Sequence, residues 1–104
     1  MSNEELELLL LKRAEGISSQ KSLAQEIGFS VGKVNYVLRA LVDKGFIKAE
    51  MFLNAQNKRK YSYLLTEAGM AEKIALTKKF IVRKKAEYEE LQRDLEADNL
   101  WRKK

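Results

Sequence analysis

The chain has 104 residues and a formal net charge of +5, with 45% hydrophobic and 34% charged side chains. That length fits one small domain with an appended element, and the charged fraction exceeds the ~25% usual for globular chains. Cysteine and histidine are both absent, which excludes disulfides, thiolate and imidazole catalysis and every Cys/His zinc site, so neither metal nor cofactor is expected.

Ser2-Asn3-Glu4-Glu5 predicts a capping box, opening a first helix that runs to about Ala14 with Leu6, Leu9, Leu10 and Ala14 on one face. Gly16 stops it, and Ile17-Ser18 is too short to assign beyond a single bridge. Ser19 caps a second helix that keeps Leu23, Ala24 and Ile27 inward and ends at Gly28; Ser30 caps a third, with Val31, Val34, Val37, Leu38 and Leu41 inward, ending at Lys44-Gly45. After Gly45 the period changes. Residues 46–53 read as a strand and 61–65 as its hairpin partner, joined by a polar stretch, 54–60, that looks too long for a tight turn. Thr66 then caps a last helix from near Glu67 to about Ala97. No apolar run approaches the ~20 residues of a membrane span, and the leucines at 8–11 follow an acidic start unlike that of a secretion signal. A cytoplasmic protein with no membrane partner is the expectation.

The charge is concentrated. Residues 27–60 carry seven basic and two acidic side chains, whereas residues 1–26 carry three and five. A local basic patch can displace the condensed cations of a polyanion; an even +5 would mainly serve solubility.

Residues 19–39 hold the most specific pattern. Ala24, Gly28, Val34 and Val37 stand at offsets of 4, 10 and 13. Ala24 is small where one helix crosses the other, Gly28 can take the positive φ of a tight interhelical turn, and the two valines fill the crossing. This is the pattern of a helix-turn-helix, although short helix pairs with a Gly turn also occur in domains that bind nothing. With the apolar set inward, Gly32, Lys33, Asn35, Tyr36 and Arg39 face outward. Gly32 costs helix stability of about 1 kcal/mol relative to Ala, and close approach of the backbone to a groove wall would repay it. Ser30 and the free amides beside it suit a phosphate. Asn35 can pair with adenine, Arg39 with guanine or phosphate, and Tyr36 can touch a thymine methyl or donate to phosphate.

The hairpin that follows puts Lys58-Arg59-Lys60 at its tip, the arrangement of a wing lying along a DNA backbone or entering the minor groove. Charged hairpin tips also protect strand edges, which is the plainer reading. The expected fold is mainly α (α+β): a winged helix-turn-helix with a two-stranded wing over residues 1–66 and a long C-terminal dimerisation helix over 67–104.

Leu41-Val42-Asp43-Lys44-Gly45-Phe46-Ile47, Asn57-Lys58-Arg59 and Leu65-Thr66-Glu67-Ala68-Gly69 together make nearly the whole chain resemble the MarR family of winged-helix transcription regulators. Val31-Gly32-Lys33-Val34-Asn35-Tyr36, the compact length and the single long terminal helix resemble its EPS-associated subgroup, a resemblance that implies control of exopolysaccharide genes. The family's wing usually carries Asp-x-Arg, the Arg reaching the minor groove and the Asp bracing it. Here Asn57 replaces the acid and offers Arg59 an acceptor without charge. Family members dimerise through helices from both chain ends and hold small phenolic ligands near the dimer core. The short first helix here argues against such a small-molecule effector pocket and leaves a partner protein as the alternative effector.

Met70, Ile74, Thr77, Ile81, Lys84, Tyr88, Leu91 and Leu95 follow steps of 4, 3, 4, 3, 4, 3 and 4, an a/d seam interrupted by one charge. A helix of ~30 residues spans ~45 Å, more than a small domain covers, so a twin helix is the economical partner. Lys84 can set register or pair across the seam to Glu87 or Asp94, and Trp101 lies beyond the seam. The sequence therefore predicts a homodimer on a pseudo-palindromic double-stranded DNA operator, and no enzyme. A winged-helix protein-interaction module working through its coiled coil is the alternative, favoured only by an apolar outer face on the third helix. RNA binding is a third option that the same charges suit, but the sequence does not make evident the stacking aromatics on an exposed sheet that it would need.

Overall fold

The computed structural model describes residues 2–16 and 20–102. In chain order it contains α1 (Asn3–Arg13), a 3-10 turn (Ala14–Gly16), α2 (Gln20–Ile27), α3 (Val31–Asp43), β1 (Ile47–Leu53), β2 (Arg59–Leu65) and α4 (Glu67–Arg102). The expected Ser19 cap and the Ile17-Ser18 bridge lie outside the described residues. Two compact units divide the chain, residues 1–74 and 75–104.

Ser2 opens α1 as the capping box predicts, its hydroxyl accepting from the Glu5 amide at 3.2 Å. The buried face is broader than one stripe: Leu6, Leu8, Leu10, Leu11 and Ala14 are buried, and Leu9 is only half-buried. Four consecutive leucines cover about 300° of helix circumference, so a helix packed both on α3 and on its own 3-10 turn buries some of them on each flank. Arg13 at the end of α1 pairs with Glu26 of α2.

Gly28 ends α2 at φ +76°, with the Phe29 amide reaching back to the Ala24 carbonyl at 3.0 Å. Gly45 does the same for α3 at φ +80°: the Gly45 amide donates to Val42 O and the Phe46 amide to Leu41 O, at 3.0 and 2.9 Å. These two bonds and the left-handed glycine make a Schellman stop. Ala24, Leu23, Val34, Val37, Leu38 and Leu41 are buried, as the helix-turn-helix pattern requires. Val31 is not; it is 44% exposed. As the first residue of α3 it has no preceding helical turn to cover it.

The hairpin is longer and its loop tighter than hydropathy alone predicts. β1 and β2 pair antiparallel from Ile47 opposite Leu65 to Leu53 opposite Arg59. The connection shrinks to residues 54–58. Asn54 closes it, donating its amide to Lys58 O at 3.1 Å and accepting from Asn57 N at 3.0 Å, while Asn57 takes φ +57°. That is a three-residue hairpin loop with a left-handed final position, for which Asn is suited. The Asn54 side chain fixes it further, its Oδ1 accepting from Gln56 N and Lys58 N at 2.9 and 3.0 Å.

Thr66 joins the last helix to the end of the third. Its Oγ1 accepts from the Gly69 amide at 2.9 Å and donates to Gly45 O at 2.6 Å, and its own amide donates to Phe46 O at 3.1 Å. α4 then continues for 36 residues without a break, about 54 Å at 1.5 Å per residue. No helix among the described residues is long and apolar enough to cross a membrane.

Candidate nucleic-acid interface

α3 owes its orientation to its apolar residues. With Val34, Val37, Leu38 and Leu41 inside, the opposite side carries Gly32, Lys33, Asn35, Tyr36 and Arg39. Gly32 and Arg39 are exposed, Lys33 and Asn35 half-exposed, and Tyr36 is 68% exposed. The Lys33 ammonium sits over the Tyr36 ring, 5.8 Å from its centroid, one helical turn away on the same face. A β-carbon added at Gly32 would meet nothing within 4 Å. No neighbouring atom of the chain therefore demands glycine there.

Ser30 caps α3. Its hydroxyl oxygen accepts from the Lys33 amide and its carbonyl from the Val34 amide, both at 3.1 Å. The amides of Val31 and Gly32 remain for an external acceptor, at the positive end of the helix dipole.

The wing differs from expectation in one respect. Only Lys58 lies in the turn; Arg59 and Lys60 belong to β2, opposite Leu53 and Phe52. The hydrogen-bonded ladder carries the strand past the point where apolar residues stop. Strand alternation then sends Arg59 to the same face as Tyr61 and Tyr63, and Lys60 to the other with Ser62 and Leu64. All three cations are exposed, and among the described residues none is paired with a carboxylate. Asn57 holds the left-handed backbone position of the loop, φ +57°, with its amide donating to Asn54 O at 3.0 Å.

Between α3 and the hairpin lies an open cleft of about 340 Å³, lined by Asn35, Leu38, Arg39, Val42, Asp43, Ala49, Tyr61 and Tyr63. The two tyrosine rings are stacked, with centroids 6.5 Å apart and planes at 28°. Tyr61 is not among the contact residues that the sequence pattern points to. A signal is present in the sequence nonetheless, since Tyr61 and Tyr63 stand two apart on one strand and must share a face.

The arrangement reads as a turn-linked helix pair followed by a basic hairpin, and residues 8–48 match the family model of the winged helix-turn-helix DNA-binding domain. The fold is a winged helix-turn-helix. Three solved structures resemble it. Smu.1704 from Streptococcus mutans UA159 is 25% identical, with a TM-score of 0.63, covering 80% of this chain and 82% of that one. TA0346 of Thermoplasma acidophilum, which carries the name of a transcriptional regulator, is 20% identical with a TM-score of 0.68, covering 86% and 93%. A mutant of MepR from S. aureus bound to an oligodeoxyribonucleotide is 21% identical with a TM-score of 0.57, covering 91% and 74%. No curated protein matches the chain in sequence.

The residues of the expected seam are distributed along α4. Met70, Ile74, Ile81, Tyr88, Leu91 and Leu95 are exposed and Thr77 is half-buried. The residues of α4 that are buried are Gly69, Leu76 and Phe80. They form a stripe displaced by one residue, or about 100° of rotation, from the seam. Lys84 pairs within its own helix, with Glu87 at 3.6 Å.

Proposed function

We propose that the chain is a MarR-like, sequence-specific regulator of transcription that binds double-stranded DNA as a homodimer. The observation that carries this reading is the rotation of α3, which buries Val34, Val37, Leu38 and Leu41 and leaves Gly32, Asn35, Tyr36 and Arg39 on its open side. That side holds glycine, amide, phenol and guanidinium, the groups that suit the major groove, and no apolar patch that would suit a protein partner. Asn35 and Arg39 read base edges. Ser30, Tyr36, the open amides at the start of α3 and Lys33 hold the flanking backbone. Lys58, Arg59 and Lys60 supply phosphate and minor-groove contacts from the wing.

Two copies joined along Met70, Ile74, Thr77, Ile81, Lys84, Tyr88, Leu91 and Leu95 present two reading helices to the half-sites of a pseudo-palindrome. The exposure of most of that seam in the single chain supports a partner helix there, since six large apolar or aromatic side chains would otherwise face water. On the resemblance to the EPS-associated subgroup, the genes controlled are those for exopolysaccharide.

Selection of bound fragments from genomic DNA by the purified protein tests this. The expected product is a pseudo-palindromic consensus whose affinity falls steeply with salt. Recovery of fragments with no shared sequence would remove the regulator reading, even if binding were tight.

A further inference from the structure

The wing carries more than charge. Leu53, the last residue of β1, is 59% exposed, and Met51 and Tyr61 behind it are 53% and 51% exposed. Strand register places Leu53 opposite Arg59 and Met51 opposite Tyr61, so all four occupy one face, the face that meets the cleft beside α3. Phe52 lies on the other face, opposite Lys60. The loop beyond is closed by its bonds to Asn54 and by the left-handed Asn57. A hairpin serving only to carry positive charge gains nothing from large apolar side chains left in water at its tip.

We propose that this face is a wedge, with Leu53 entering between base pairs of the DNA minor groove and kinking the duplex. The proposal rests on the DNA-binding reading and goes beyond it, because a wing that follows the groove electrostatically would leave the duplex straight. Charge selects the occupant. Lys58 in the turn and Arg59 on the same face flank the apolar tip and Lys60 lies on the other face, none with a carboxylate partner among the described residues, and the hairpin's one acid, Glu50, is paired with Lys48 at 3.1 Å. A polyanion with an apolar interior accessible between its stacked bases fits both features at once. Apolar wedges of Leu, Met or Phe unstack single steps in this manner, and the larger protein surface wrapped by the bent duplex offsets the lost stacking. Arg59, directly across from Leu53, then lies along the narrow groove, while Met51 and Tyr61 cover deoxyribose.

The test compares binding of the full chain to a short A·T-rich duplex and to a twin of the same sequence carrying a bulge, which kinks it in advance. Fluorescence anisotropy at low salt gives both affinities and needs no knowledge of the operator. Wild-type protein should prefer the bulged duplex by about tenfold or more, since the bulge removes the need to unstack a step. Leu53→Ser should bring the two affinities together without changing the salt slope, and Leu53→Phe should keep the preference. Lys58→Ala should weaken both duplexes alike. Equal wild-type affinities, or a Leu53→Ser protein that still favours the bulge, would overturn the wedge and leave the DNA-binding reading standing. Failure of the wild-type protein to bind either duplex would overturn both.

Discussion

The α-carbon of Gly69, in the first turn of α4, rests against the main-chain carbonyl of Phe46, with no room for a β-carbon between them. An added carbon would also stand 2.7 Å from Leu65 Cδ1. The same carbonyl accepts from the Thr66 amide at 3.1 Å, so the start of α4 and the exit from α3 are joined by a close backbone approach that no larger residue permits. Gly69→Ala should therefore destabilise the fold although Ala is the better helix former by about 1 kcal/mol. Overpacking against backbone costs about 1–3 kcal/mol. A lowered urea midpoint with an unchanged m-value is the expected measurement, and a raised midpoint would show that the contact relaxes freely.

Gly32 is the counterpart. Its surroundings are empty and its φ is not positive, so nothing within the chain calls for glycine. Gly32→Ala should stabilise the isolated protein by up to about 1 kcal/mol. If the backbone of α3 approaches a groove wall at that point, the same change should weaken DNA binding. Opposite signs for stability and affinity, from thermal melts and titrations on one preparation, form the expected outcome. Gains in both would mean that Gly32 is not at the DNA surface.

These two glycines show how far the sequence can be read. Gly28 and Gly45 are legible as helix stops because their neighbours follow the pattern of capped helix ends, and the Ala24, Val34 and Val37 set is legible because each has a spacing and a size that only a helix crossing explains. The requirement at Gly69 comes from a carbonyl 23 residues earlier in the sequence, which no local pattern reveals. The strand assignment of Arg59 and Lys60 is hidden for a related reason: pairing with Leu53 and Phe52 is fixed by backbone hydrogen bonds, and hydropathy is silent about those. Val31 matches the apolar period but sits at a helix end, where periodicity outlasts burial. For the α4 seam, spacing names the residues, and their exposure along the helix is a property that only three dimensions supply.

Arg39 borders the cleft and is exposed, with Asn35 one turn before it on the same side of α3. Arg39→Ala should cost about 1–3 kcal/mol in operator binding and relax preference at a single base pair if the guanidinium reads a base edge. A uniform loss across all sequences, with the salt slope reduced by about 1, would reassign it to a phosphate. Titrations against an operator and its single-base variants at several salt concentrations separate the two.

Ile81 lies at the centre of the proposed seam and is 60% exposed. Its helix neighbours on either side of the seam line, Thr77 and Lys84, are the two polar members, so Ile81 carries much of the apolar surface available to a partner helix at that level. Ile81→Asp puts a charge where a twin helix would exclude water, and nothing in the single chain is disturbed by changing an exposed position. The mutant should keep its helical circular dichroism, sediment as a monomer, and bind an operator far more weakly because each half-site must then be held alone. A half-site fragment should be bound equally by mutant and wild type. If the mutant still sediments as a dimer, the seam through Ile81 is wrong and the helices meet along another exposed face of α4, since Leu76 and Phe80 are already buried within the single chain.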